Sequence, residues 1–155
     1  MKNLKNIVSV IVLALVMLNG NLAFGQKNII AKIEKDGKLS IVAKKSKLLK
    51  KINKHSKETM NGTIYSDLEI QKYDNKGKTV YLLVAYNKKH TERIATLLEE
   101  KGGNLTLYIV SHGGTLSCHT SDCSGSTGCT PVDGGLGWHC SHCTGNCTKT
   151  TTIEL

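Results

Sequence analysis

Residues 118–147 read CHTSDCSGSTGCTPVDGGLGWHCSHCTGNC, and every cysteine of the chain lies in them: Cys118, Cys123, Cys129, Cys140, Cys143 and Cys147. Three of the six histidines, His119, His139 and His142, lie there too. The residues between are Gly, Ser, Thr, Asp and Asn, with only Pro131, Val132, Leu136 and Trp138 to bury. Ordering each residue costs roughly 1–2 kcal/mol of conformational entropy. Such a segment has too little apolar surface to offset that cost, so crosslinks or a metal must order it.

Which of the two depends on where the chain goes, and the other end bears on that. Lys2 and Lys5 precede an apolar run over 7–18 broken only by Ser9. Ala23-Phe24-Gly25 then places small residues where a signal peptidase cuts, so residues 1–25 read as a secretory signal with cleavage before Gln26. The alternative, an N-terminal membrane anchor, would need roughly 20 apolar residues, and the run is shorter. No cysteine follows that run to carry a lipid, and no second stretch is apolar enough to span a membrane. The expected location is therefore outside the cytosol, in the periplasm, at the cell surface or in the medium.

In an oxidising compartment an even set of closely spaced cysteines reads as disulfides. The six are expected to form three bonds, and the sequence does not choose among the 15 possible pairings. The first alternative is zinc held by His139, Cys140, His142, Cys143 and Cys147, with Cys118 or Cys123 able to complete four ligands. The C-x2-C pair lacks the second pair or spaced histidines of standard zinc fingers. A second alternative is redox catalysis through Cys140-Ser141-His142-Cys143. The Thr-Gly-Asn that follows is no helix, which such a motif requires. Trp138, alone among glycines, is expected to pack against the disulfides rather than to recognise a partner.

Upstream lies a body, residues 26–114, rich in strand signals. Ile29, Ala31 and Ile33 alternate with polar residues, as do Leu39, Ile41 and Ala43, and Asp36-Gly37 between them predicts a hairpin over 28–34 and 38–43. Over 44–56, Leu48, Leu49 and Ile52 share one helical face while Lys44, Lys47, Lys50, Lys51 and Lys54 occupy the rest. A second hairpin joins 63–73 to 79–86 through Asp74-Asn75-Lys76-Gly77. Val80 to Val84 hardly alternates, as expected of a central strand buried on both faces. Over 92–101 the local signals favour a helix capped by Thr91, with Ile94, Leu97 and Leu98 on one face and Gly102 ending it. The competing reading is a third hairpin through Gly102-Gly103 to a strand over 105–110. The fold class is α+β: a small antiparallel sheet with one or two helices, followed by a loop-rich, Cys-stapled tail over 115–155.

Beyond residue 25 there are 19 basic and 12 acidic residues, a net +7. The excess is local: residues 26–57 carry +9 and residues 58–155 carry −2. Lys44, Lys47, Lys50 and Lys51 could make weak contact with anionic surfaces, or simply face water. Arg93 is the single arginine, which argues against specific nucleic-acid recognition through bidentate phosphate contacts. No nucleophile elbow, zinc-protease helix or phosphate loop is present, so the chain reads as non-enzymatic.

The layout of signal peptide, short β-rich body and cysteine-rich C-terminal tail resembles that of small exported bacterial proteins built the same way. That resemblance implies export and carries no activity or site residues. The expectation is an exported, disulfide-stabilised binding or surface module without a cofactor. Zinc binding through the Cys/His tail and cationic membrane activity are the alternatives.

Overall fold

The run Thr-Val-Tyr-Leu-Leu-Val-Ala-Tyr lies within β4 (Lys78–Asn87), and Val80 to Tyr86 is buried without a break. A strand buried on both faces must have a layer above and a layer below it, and it does. The computed structural model describes residues 29–109, 114–125 and 128–152. The proposed signal peptide lies outside them. They form an α+β fold of one helix, one eight-stranded antiparallel sheet and a two-stranded cap.

Two predicted hairpins are present. β1 (Ile29–Ile33) pairs with β2 (Leu39–Ile41), and β3 (Tyr65–Asn75) pairs with β4. In the second turn Lys76 and Gly77 both take positive φ, and the Gly77 amide donates to Asp74 Oδ1 at 3.0 Å. Two successive left-handed residues match the twist of the flanking strands.

Residues 93–101 correct the helical reading. They form β5 (Arg93–Lys101), a strand whose first six residues are all buried. It continues through Gly102 and Gly103, both at positive φ, into β6 (Asn104–Leu107). The helical spacing of Ile94, Leu97 and Leu98 is coincidental: in a strand buried on both faces Ala95 and Thr96 are covered too, so the apolar positions need not alternate. β5 is the axis of the sheet. One edge pairs with β4; the other is divided, with β7 (Thr115–Thr120) along Arg93–Thr96 and β6 along Leu98–Lys101. β6 continues to β1 and β2, and β7 continues to β10 (Thr148–Thr152). The cysteine-rich region thus supplies two strands of the main sheet.

The helix α1 (Lys45–Thr59) covers one face. Leu48 and Ile52 pack there among Tyr65, Leu68, Tyr81 and Leu83. Asn53 fixes its register: its amide donates to the Tyr65 carbonyl at 3.0 Å and accepts from the Tyr65 amide at 2.7 Å. On the other face, Val80, Leu82, Val84, Ala95, Leu97 and Leu116 form a second core. The cap, β8 (Pro131–Asp133) paired with β9 (Trp138–Cys140), lies on this side. Trp138 packs, as expected, but on this second core and against Tyr108, with ring centroids 5.8 Å apart.

Candidate functional site

The six cysteines form three disulfides: Cys118–Cys140, Cys123–Cys143 and Cys129–Cys147. Cys118 projects from β7 with Leu116 and Thr120, which alternate onto the capped face; it is fully buried and bonded to β9. The remaining two bonds tie the loop after β7 to the segment between β9 and β10. Cys140 and Cys143 therefore do not pair with each other. Cys140, Cys143 and Cys147 belong to three different disulfides and supply no thiolates, while His139 and His142 stay exposed. Among the described residues no group of three or more His, Cys, Asp or Glu could hold a metal.

Polar bonds add to the covalent ones. Asp122, next to Cys123, accepts from the Asn146 amide at 2.7 Å, which lowers its carboxyl below the ordinary value. A side chain on Gly145 would collide with Asp122, its Cβ only 2.1 Å from that of the aspartate. Tyr73 donates its hydroxyl hydrogen to the Pro131 carbonyl, joining the cap to β3. Burial pushes the Tyr73 phenol up to about 12, a hydrogen bond with Thr130 acting the other way.

Where this clamped region meets the sheet, a cleft of about 320 Å3 opens. Glu69 and Gln71 enter it from β3, Tyr86 from β4 and Arg93 from β5. His90 comes from the β4–β5 turn, and Ser124 and Gly125 from the loop after Cys123. These residues are distant in sequence, and antiparallel pairing brings them together: Glu69 lies opposite Val84, and Tyr86 opposite Arg93. The Gln71 amide donates to Glu69 Oε1 at 2.6 Å and to the Tyr86 hydroxyl at 2.9 Å. Tyr86 in turn lies 3.2 Å from Glu69 Oε1. Its phenol is raised by burial and by the Glu69 charge, with Arg93 opposing. The His90 ring stacks on Tyr86, centroids 4.7 Å apart, and Ser124 Oγ donates to the His90 carbonyl at 2.8 Å. Arg93 is 2% exposed, donates to the Gly128 carbonyl, and has a buried Nε without a partner among the described residues.

None of these side chains stood out in the sequence. In the sequence Arg93 stands out only as the lone arginine; its burial follows from its place at the start of β5, which local spacing does not reveal. The lysines lie elsewhere: Lys44, Lys47, Lys50 and Lys51 are exposed on the outer side of α1, across the sheet from the cleft. Among the described residues, the one ion pair on this helix is Lys54–Glu58. No helix among the described residues is long and apolar enough to cross a membrane.

A second polar cluster tethers the loop before β3. Glu92 Oε2 accepts from Thr63 Oγ1 at 2.6 Å and Asn61 Nδ2 at 2.8 Å, and lies 3.4 Å from His119 Nε2. Burial raises the Glu92 carboxyl, but these bonds and the His119 charge outweigh it and hold the group below its ordinary value.

No family model matches the chain, and neither any curated protein nor any solved structure does.

Proposed function

We propose that this chain is an exported, non-enzymatic binding module whose ligand site is the cleft between β3, β4, β5 and the disulfide-clamped loop. The observation that carries this is the cleft's wall: Glu69, Gln71 and Tyr86 are linked by hydrogen bonds on paired strands. A preorganised polar wall on a rigid sheet is what small-ligand recognition requires. Three disulfides suit a destination outside the cytosol, in the periplasm, at the cell surface or in the medium. The signal-like residues 1–25 support the same destination. The imidazole that lines the cleft, His90, stacks on Tyr86 and lies 3.9 Å from Asp67. It is held there as a stacking surface rather than as the base of a nucleophile, which supports binding over catalysis.

The outer side of α1 gives the module a cationic back. Its lysines would hold the protein weakly to an anionic surface while the cleft, on the opposite side of the sheet, faces away. Leu48 and Ile52 are committed to the core, which favours electrostatic contact over insertion. The test is a screen of small polar compounds against isotope-labelled oxidised protein, residues 26–155, followed by amide shifts. A ligand of the cleft moves residues 69–71, 86–93 and 124–125 together. Shifts confined to 44–57 would refute the cleft as the site.

A further inference from the structure

The protein itself uses only part of the cleft's hydrogen-bonding capacity. Glu69 Oε1 is engaged by Gln71, and both Gln71 amide hydrogens are directed at partners, one at Glu69 and one at Tyr86. Glu69 Oε2 and Gln71 Oε1 accept no hydrogen bond from other described residues. Both are acceptors. A ligand complementary to these two atoms therefore presents hydrogen-bond donors, either hydroxyls or an ammonium.

Charge decides between them. Glu69 brings one negative charge to the lining and Arg93 one positive charge, and no ion pair among the described residues engages Arg93. A cationic ligand would be brought beside a buried guanidinium, and an anionic one beside the Glu69 carboxylate. Either is penalised in a partly desolvated site. A neutral ligand with several hydroxyls meets neither penalty. Shape agrees. One face of the His90 ring is taken by Tyr86, and the side chain is 57% exposed. That leaves a flat ledge beside the two acceptors. Such a ledge suits the C–H face of a pyranose ring, whose hydroxyls then reach the wall. The cleft volume lies at the lower end of ligand pockets, so it holds a short stretch of glycan.

We infer that the cleft is a subsite for neutral saccharide. Glu69 and Gln71 accept from ring hydroxyls, and His90, backed by Tyr86, stacks on the ring. This inference rests on the cleft being the ligand site.

The experiment is an amide-shift titration of the oxidised protein with three kinds of probe. These are soluble neutral β-1,4-linked oligomers of glucose and of N-acetylglucosamine, butylammonium, and glucuronate. At least one neutral oligomer is expected to move residues 69–71, 86–93 and 124–125 saturably. Glu69→Ala, on an exposed strand position, should weaken that binding about tenfold, the loss of roughly one hydrogen bond to a charged group. Glu69→Gln, which keeps an acceptor, should weaken it less. Shifts at the same residues with butylammonium or glucuronate but no neutral oligomer would overturn the saccharide class and leave the cleft as a binding site. No shift there with any probe, on well-dispersed spectra, would overturn the saccharide inference and count against the cleft reading too.

Discussion

Arg93 donates from its guanidinium to the carbonyl of Gly128, the residue before Cys129. One end of this bond is on the central strand and the other is in the cystine-rich loop, so the loop is placed against the sheet by more than its crosslinks. Arg93 Nε is buried and, among the described residues, unpartnered. A charge in that position is retained at a cost in stability, as buried ionic groups generally are.

Arg93→Ala should therefore be strongly destabilising, by about 3 kcal/mol, through the lost charged hydrogen bond and the void left behind. Arg93→Met keeps most of the stem and removes the orphaned Nε, and should cost less than half of that. Urea unfolding of both variants measures the difference. Equal losses would mean that the guanidinium's hydrogen bond to Gly128, lost in both variants, and not the packing of its stem sets the cost.

Reduction should not release residues 115–155 as a unit. β7 is paired to β5 from Arg93–Thr120 to Thr96–Ser117, and that pairing needs no sulfur. Limited proteolysis after reduction and alkylation should cut within 121–147 first and leave 115–120 protected with the body. The oxidised protein should resist alkylation and weigh about six hydrogens less, two per disulfide. First cuts before Thr115 would contradict the pairing.

Acid should weaken the fold in two stages. Burial lowers the pKa of His55, against the charge of Glu58. Its folded value lies below its unfolded one, so its contribution is complete above the unfolded value, near 6.5, and is lost as pH falls through the folded value. Glu92 follows the same sign lower down: its carboxyl is depressed, so its contribution is present above the ordinary carboxylate range and disappears as pH falls through the depressed value. The stability gap between the native protein and Glu92→Gln should be widest near neutrality and close in strong acid. A gap that persists unchanged in strong acid would show that charge is not what Glu92 contributes.

Changing Lys44, Lys47, Lys50 and Lys51 to Gln should abolish sedimentation with anionic liposomes and leave the melting temperature within a few degrees, since all four side chains are exposed. Native binding should fall steeply with salt, because contacts between exposed charges are screened over about 10 Å at 0.1 M. Binding that survives high salt would point instead to apolar insertion.

The hairpins were readable because their signals are local. Asp36-Gly37 and Asp74 to Gly77 demand particular turns, and the flanking alternation tells which faces are buried. The segment 93–101 was not readable. Its character comes from three neighbouring strands and two cores, and β7 and both cores draw on residues distant in sequence, which local spacing cannot report. The cysteines announced disulfides by number and setting, but their partners depend on where β7 and β9 face each other. The cleft was hidden for the same reason: Glu69, Tyr86 and Arg93 are unremarkable singly and meet only through strand register. Thr148 to Thr152, all β-branched but for Lys149, did carry a strand signal, masked by the loop-like composition before it.

The divided edge of β5 also bears on the order in which the molecule is made. β3, β4, β5 and β6 are consecutive in the chain and joined by short connections, so the pairing within this meander uses no residue beyond Leu107. Every cysteine emerges after it. When Cys118 arrives, a half-edge of β5 is already waiting, and docking of β7 there sets Cys118 opposite Ala95 and aims it at the face where Cys140 will lie. The sheet then acts as a template on which one pairing is proofread from many. Oxidation records a geometry that the backbone has already chosen.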